Sequence, residues 1–225
     1  MEQPRRGART ALLIPRVIAS ALAVLAAALA LWLVALSLSW PSVHDAPVLN
    51  YMGWRLLEGD RPYVDFVDMN FPGSYLVHAA VVAAAHDLDA GTAVANAILL
   101  GVNALLAGAL VWRLGAGLAA AVAAGAITTI LTLETGPWQM LQRDALMLPF
   151  LLGATLLLAG GEPAAWRLRR LFLVGVLLGT ASTIKPAAIF WGGAVVAVVL
   201  LHPRWRRRRT AVHLASRSRA RSRAG

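Results

Sequence analysis

Six side chains in this sequence could do chemistry together: the carboxylates Asp45, Asp65, Asp68 and Asp144, and the cations Arg143 and Lys185. A positioned carboxylate can take a proton from a hydroxyl group, which is worth about a hundred- to ten-thousandfold in rate. A cation where water is scarce can hold a phosphate through charge-assisted hydrogen bonds. Lys185 stands out as the one lysine among 21 cations, and it lies inside an apolar run, where an ionisable group is expensive. Each residue also has a plainer use. Asp45, just ahead of Pro47, could cap a helix, and Asp144 could favour the start of the next one. Asp65 and Asp68 could be solvated turn residues, and Lys185 could reach the headgroup layer by snorkelling. His44, His78 and His86 share no ligand spacing and cysteine is absent, so no histidine or thiolate metal site is expected.

These residues have to be positioned by apolar elements. Hydrophobic residues make up 59% of the chain and charged residues 14%, a balance far from that of soluble domains. The run 17–38 follows Arg5, Arg6, Arg9 and Arg16 and would extend about 30 Å as a helix. It reads as a membrane span, being longer than the apolar core of about 7 to 15 residues in a cleaved signal. Residues 40–72 are polar and punctuated by proline. A short helix over 47–57 is expected there, with Pro47 at its start and Gly59 at its stop. Leu49, Met52, Leu56 and the Tyr51 ring would lie on the membrane surface. The run 74–85 is too short to cross, whereas longer runs follow at 93–112, 117–133, 145–160 and 171–201, the last broken at Lys185-Pro186.

The distribution of arginine sets the orientation. If 74–85 stays on one side and 171–201 crosses twice, only Arg55, Arg61, Arg143 and Lys185 of the 21 cations face outward. All acids except Glu2 and Glu162 then face outward as well. The predicted fold is all-α: a multi-pass transmembrane protein of the plasma (inner) membrane, with about six spans, juxtamembrane helices in the first outer loop (40–92) and both termini cytoplasmic. Residues 1–16 form a basic cytoplasmic start, 17–201 the membrane module, and 202–225 a basic, disordered tail. The basic clusters flank apolar runs, so the +10 charge points to anionic lipid and not to nucleic acid. The loop 40–72, the corner at 86–89, the loop 134–144 and the Lys185-Pro186 break meet at one membrane face.

The spacing in the first loop is informative. His44-Asp45, Tyr51, Arg55-Leu56-Leu57-Glu58-Gly59, Pro62-Tyr63-Val64-Asp65-Phe66, Asp68 and Pro72-Gly73-Ser74-Tyr75 resemble the first extracytoplasmic loop of the C-type glycosyltransferases. These enzymes use lipid-linked sugars, and they include the protein O-mannosyltransferase, aminoarabinose transferase and rhizobial core-sugar transferase groups. Gln142-Arg143-Asp144-Ala145-Leu146 and Ile184-Lys185-Pro186 are similar to later motifs of that family. The resemblance covers roughly residues 17–201 and looks like the amino-terminal half of such an enzyme. Ala46 stands where the family often has a second acid, and Asn70-Phe71-Pro72 where it often has Lys-Pro-Pro.

By resemblance, Asp45 is the catalytic base, deprotonating an acceptor hydroxyl for attack on the anomeric carbon of a polyprenyl-phosphate sugar. Arg143 and Lys185 would bind the lipid phosphate, and Asp144, Asp68 and Asp65 would help to position substrate. The resemblance requires no cofactor and leaves room for a divalent cation at the carboxylates. It implies as partners a polyprenyl-phosphate sugar donor, a lipid, glycan or protein acceptor, membrane lipid and a partner chain supplying the carboxy-terminal half. The alternative reading is a non-catalytic membrane protein, or a truncated remnant, that keeps the lipid-sugar-binding fold.

Overall fold

The computed structural model describes residues 5–159 and 168–201, and these form helices without a strand. In chain order they are α1 (Arg5–Ser37), α2 (Asp45–Leu57), α3 (Pro72–Ala84), α4 (Leu88–Arg113), α5 (Leu118–Leu133), α6 (Arg143–Leu158), α7 (Leu168–Ile184) and α8 (Ala188–Leu201). A short 3₁₀ turn at Gly136–Gln139 precedes α6. The tail from His202, with Glu162 and Arg167, lies outside the described residues.

The helix boundaries follow local chemistry. Pro72 opens α3, where its missing N–H would have no intrahelical partner anyway. Asp87 caps α4 by accepting the Ala90 N–H at 3.0 Å. The α2 end is a Schellman turn: Gly59 has φ 95°, its N–H reaches the Leu56 carbonyl, and the Asp60 N–H reaches that of Arg55. The break between α7 and α8 falls at Lys185-Pro186, because proline carries no N–H and pushes the residue before it out of the helical region.

Among the described residues, two helices are long and apolar enough to cross a membrane, Ile14–Ser37 within α1 and Leu88–Arg113. The others are shorter: α5 and α6 have 16 residues, α7 17 and α8 14, against the roughly 20 of an upright span. Much of the apolar surface faces outward, including Val17, Leu25, Leu31 and Trp32 on α1.

Helix α5 packs against both α1 and α4, α6 against α4 and α7, and α2 lies on α3. The α2–α3 approach depends on Gly53, whose missing Cβ would sit 2.5 Å from the Ala79 nitrogen.

Two expectations for α2 are corrected. The helix starts at Asp45 and not at Pro47, and its N-cap is His44, which makes no side-chain cap bond. Leu49, Met52 and Leu56 do not lie on a membrane surface. They pack with Phe66 and Tyr75 of the loop and α3 into a small core. The face of α2 left exposed carries Val48, Tyr51, Trp54 and Leu57 instead.

Candidate functional site

Asp45 stands in the first turn of α2 and Arg143 in the first turn of α6, and their side chains meet: Arg143 Nη2 donates to Asp45 Oδ2 at 3.1 Å. Both side chains are partly open, at 29% and 27% exposure. The Asp45 carboxylate is not used as a helix cap. It is held on its other side by His44, whose Nδ1 lies 3.1 Å from Oδ1. The His44 ring in turn packs on Trp138 of the 3₁₀ turn, with centroids 4.7 Å apart.

Asn70 joins this pair to the loop. Its side-chain oxygen accepts the second Arg143 arm, and its side-chain nitrogen donates to Asp68 Oδ2 at 2.7 Å. Its backbone carbonyl faces the hydroxyls of Tyr63 and Tyr75, the latter at 2.8 Å. Tyr75 also lies 3.0 Å from Asp68 Oδ2. Having one hydroxyl hydrogen, it can donate to only one of the two at a time. Burial, with the Asp68 carboxylate beside it, pushes the Tyr75 hydroxyl well above the usual phenol range.

Asp144, next to Arg143 in the chain, turns to Lys185: Nζ lies 2.5 and 2.7 Å from its two carboxylate oxygens. This ion pair links the start of α6 to the break after α7. Beside it lies a cavity of about 330 Å³ lined by Thr128, Thr132, Gln139 and Asp144. A longer apolar groove of about 600 Å³ runs along α1, α4 and α5, from Trp112 and Leu118 to Val34 and Thr129.

The site residues expected from sequence therefore divide into three places. Asp45, Arg143 and Asp68 belong to one hydrogen-bonded cluster through Asn70, and Asp144 and Lys185 form a second pair on the neighbouring residue of α6. Asp65 joins neither. Its carboxylate is taken up by Arg61, through the backbone N–H at 2.8 Å and Nε at 2.9 Å. Those bonds hold its carboxyl below the usual range. Its backbone carbonyl accepts from Arg55 of α2. It shapes the loop.

Below the cluster is a buried polar network. His78 Nδ1 lies 2.7 Å from Asn50 Oδ1, and Asn50 Nδ2 donates to Thr92 at 3.0 Å, tying α3, α2 and α4 together. Asn96 accepts the Leu141 N–H at 3.0 Å and holds that residue at φ 52°. His44, before Asp45, has φ 59°. Non-glycine residues at positive φ cost of order 1–3 kcal/mol and persist only where their surroundings hold them. Here they aim the two segments that carry Asp45 and Arg143.

Among the described residues no three His, Asp or Glu side chains converge as a cation site would require. The divalent cation allowed by the resemblance finds no fitting donor set among them. The chain matches no protein-family model, no curated protein and no solved structure.

Proposed function

We propose that this chain is a membrane glycosyltransferase module, or the amino-terminal half of such an enzyme. It would transfer a sugar from a polyprenyl-phosphate donor to an extracytoplasmic hydroxyl, with inversion at the anomeric carbon. The observation that carries the reading is the meeting of Asp45 with Arg143, 98 positions apart in the sequence, beside the Asp144–Lys185 pair. A general base and two phosphate-binding cations are the groups this transfer needs. Asp45 takes the acceptor proton as its oxygen attacks the anomeric carbon, and the bond to the phosphate oxygen breaks. Arg143 and Lys185 hold the phosphate as negative charge builds on it. Lys185 has to leave Asp144 for this, and Arg143 has a spare donor capacity suited to a bidentate hold.

The apolar groove along α1, α4 and α5 suits a prenyl chain, and both cavities reach the end of α5, at Thr129 and Thr128. In a membrane the chain makes about six spans with both termini cytoplasmic, the shorter helices crossing beside α1 and α4. Its partners are then the lipid-linked donor, a lipid, glycan or protein acceptor, and a chain supplying the other half.

A second reading has its own support. Each site cation already has a carboxylate partner, Arg143 with Asp45 and Lys185 with Asp144, as in a purely structural network of a non-catalytic protein. Sugar transfer from radiolabelled polyprenyl-phosphate sugars, measured for the wild type beside Asp45→Asn, separates the two. The transferase reading expects transfer to fall at least a hundredfold in a variant that still folds. Equal activity in both proteins would overturn the role of Asp45.

A further inference from the structure

A separate cavity of about 420 Å³ lies where the segment before α2, α2 itself, the end of α3 and the start of α4 come together. It shares no lining residue with the Asp45 cluster; its walls carry Ser42, Asn50, Tyr51, Trp54, Val82 and Asp89. The Tyr51 and Trp54 rings stand 5.7 Å apart and are nearly half exposed, at 48% and 44%; the Arg55 guanidinium lies over the Tyr51 ring at 5.9 Å and donates to its hydroxyl, while the Trp54 ring has no such cover. Asp89 Oδ1 accepts the Ser42 N–H at 3.0 Å, while its Oδ2 has no hydrogen bond among the described residues. The Ser42 hydroxyl and N–H beside it hold the Asp89 carboxyl below its usual range.

Two polar groups at this cavity have unused capacity. Ser42 Oγ is enclosed and stands beside the Asp89 carboxylate without a hydrogen bond of good geometry, so its rotatable hydroxyl can turn to a ligand. Asn50 spends one amide hydrogen on Thr92 and keeps the other. A carboxylate, a hydroxyl and an amide beside two aromatic faces match a ring with hydroxyl groups on its edge and C–H groups on its face. Phosphate is disfavoured, because the lining holds an aspartate and no cation. A plain acyl chain would offer nothing to Asp89 Oδ2 or to the Ser42 hydroxyl.

We propose that this cavity binds the ring of an uncharged or amino sugar, stacked on Trp54 and Tyr51 and held by Asp89, Ser42 and Asn50. Ser42 and Pro47, both in its wall, flank Asp45 in the chain. The sugar bound there is accordingly the acceptor's, a step that rests on the transferase reading above, whereas sugar binding itself does not.

The test uses the full chain in a detergent without a sugar headgroup, titrated with methyl glycosides of glucose, galactose, mannose and glucosamine and with their short oligosaccharides. Saturation-transfer NMR and calorimetry read the binding, and inorganic phosphate serves as the anionic control. Saturable binding of at least one glycoside is expected, weakened at least tenfold by Trp54→Ala and by Asp89→Asn. Trp54→Phe should retain most of it, and Trp32→Ala, on the exposed face of α1, all of it. No saturable binding to the folded wild type overturns the proposal, as does binding unaffected by both cavity variants, or phosphate competing for the same place. Sugar binding in a chain without transfer activity keeps the cavity and removes the reading of this chain as a transferase by itself; transfer by a chain whose cavity binds no sugar keeps the transferase reading and removes the cavity.

Discussion

Arg143 donates to Asp45 through one guanidinium nitrogen and to Asn70 through the other, so a single side chain joins the starts of α2 and α6 to the loop before α3. Lysine offers a point charge on a flexible stem and cannot hold this fork. Arg143→Lys should lower transfer at least tenfold, while Asp45→Asn combined with Arg143→Gln should cost little more than the worse single change. Additive losses in that double-mutant cycle would mean that the two act independently.

The Asp144–Lys185 pair is largely exposed, at 61% and 33%, and exposed pairs contribute about 1 kcal/mol or less. Lys185→Gln and Asp144→Asn should therefore change thermal stability only slightly and alike. Binding of a polyprenyl phosphate, followed by calorimetry, should separate them. A loss of at least tenfold is expected for Lys185→Gln and no loss for Asp144→Asn; equal losses would remove Lys185 from the phosphate.

His78 is fully buried, and that burial lowers its pKa from 6.5 to about 4. Its Nε2 faces the Leu141 carbonyl without reaching hydrogen-bond geometry. Between those pH values the unfolded chain takes up a proton that the folded one refuses. Stability should be level above about pH 6.5, fall as the pH drops toward 4, and lose up to about 3 kcal/mol in all. His78→Gln keeps a donor for Asn50 and should flatten this slope in denaturant titrations at a series of pH values. An unchanged slope would assign the acid sensitivity elsewhere.

At Gly53 an added methyl group would lie 2.5 Å from the Ala79 nitrogen and 2.7 Å from the His78 carbonyl carbon, both backbone atoms. Alanine gains about 1 kcal/mol in helix propensity over glycine, but overpacking costs about 1–3 kcal/mol and here the neighbour cannot rotate away. Gly53→Ala should be net destabilising by thermal melting, and it should weaken the His78–Asn50–Thr92 network. A stabilised protein would show that α2 does not lie this close to α3.

Several features were legible before any packing was known. The unbroken apolar runs at 17–38, 93–112 and 117–133 fall on α1, α4 and α5 to within a residue, and the division of 171–201 follows from what proline does to its own N–H and to the residue before it. The convergence of the loop 40–72, the loop 134–144 and the Lys185-Pro186 break was expected from the distribution of arginine, without the pairing of any particular charges. Asn50, Thr92 and Asn96 carry no such signal, because a neutral polar side chain has the same local preferences whether it ends in solvent or between helices. The outward face assigned to α2 failed for a related reason. Periodicity shows that Leu49, Met52 and Leu56 share a side, but that side can be buried by lipid or by protein, and here Phe66 and Tyr75 cover it.

The sequence by itself determined where the helices lie, where they break and on which elements the charged residues sit, since these depend on hydrophobic period, proline and glycine acting within a few residues of themselves. Only the tertiary structure decided which charges are partners. It paired Asp45 with Arg143 and Lys185 with Asp144, left Asp65 to its own loop, and opened a polar, aromatic-walled cavity beside α2. Those choices depend on how closely α2, α3, α4 and α6 approach, which is set by groups far apart in the chain.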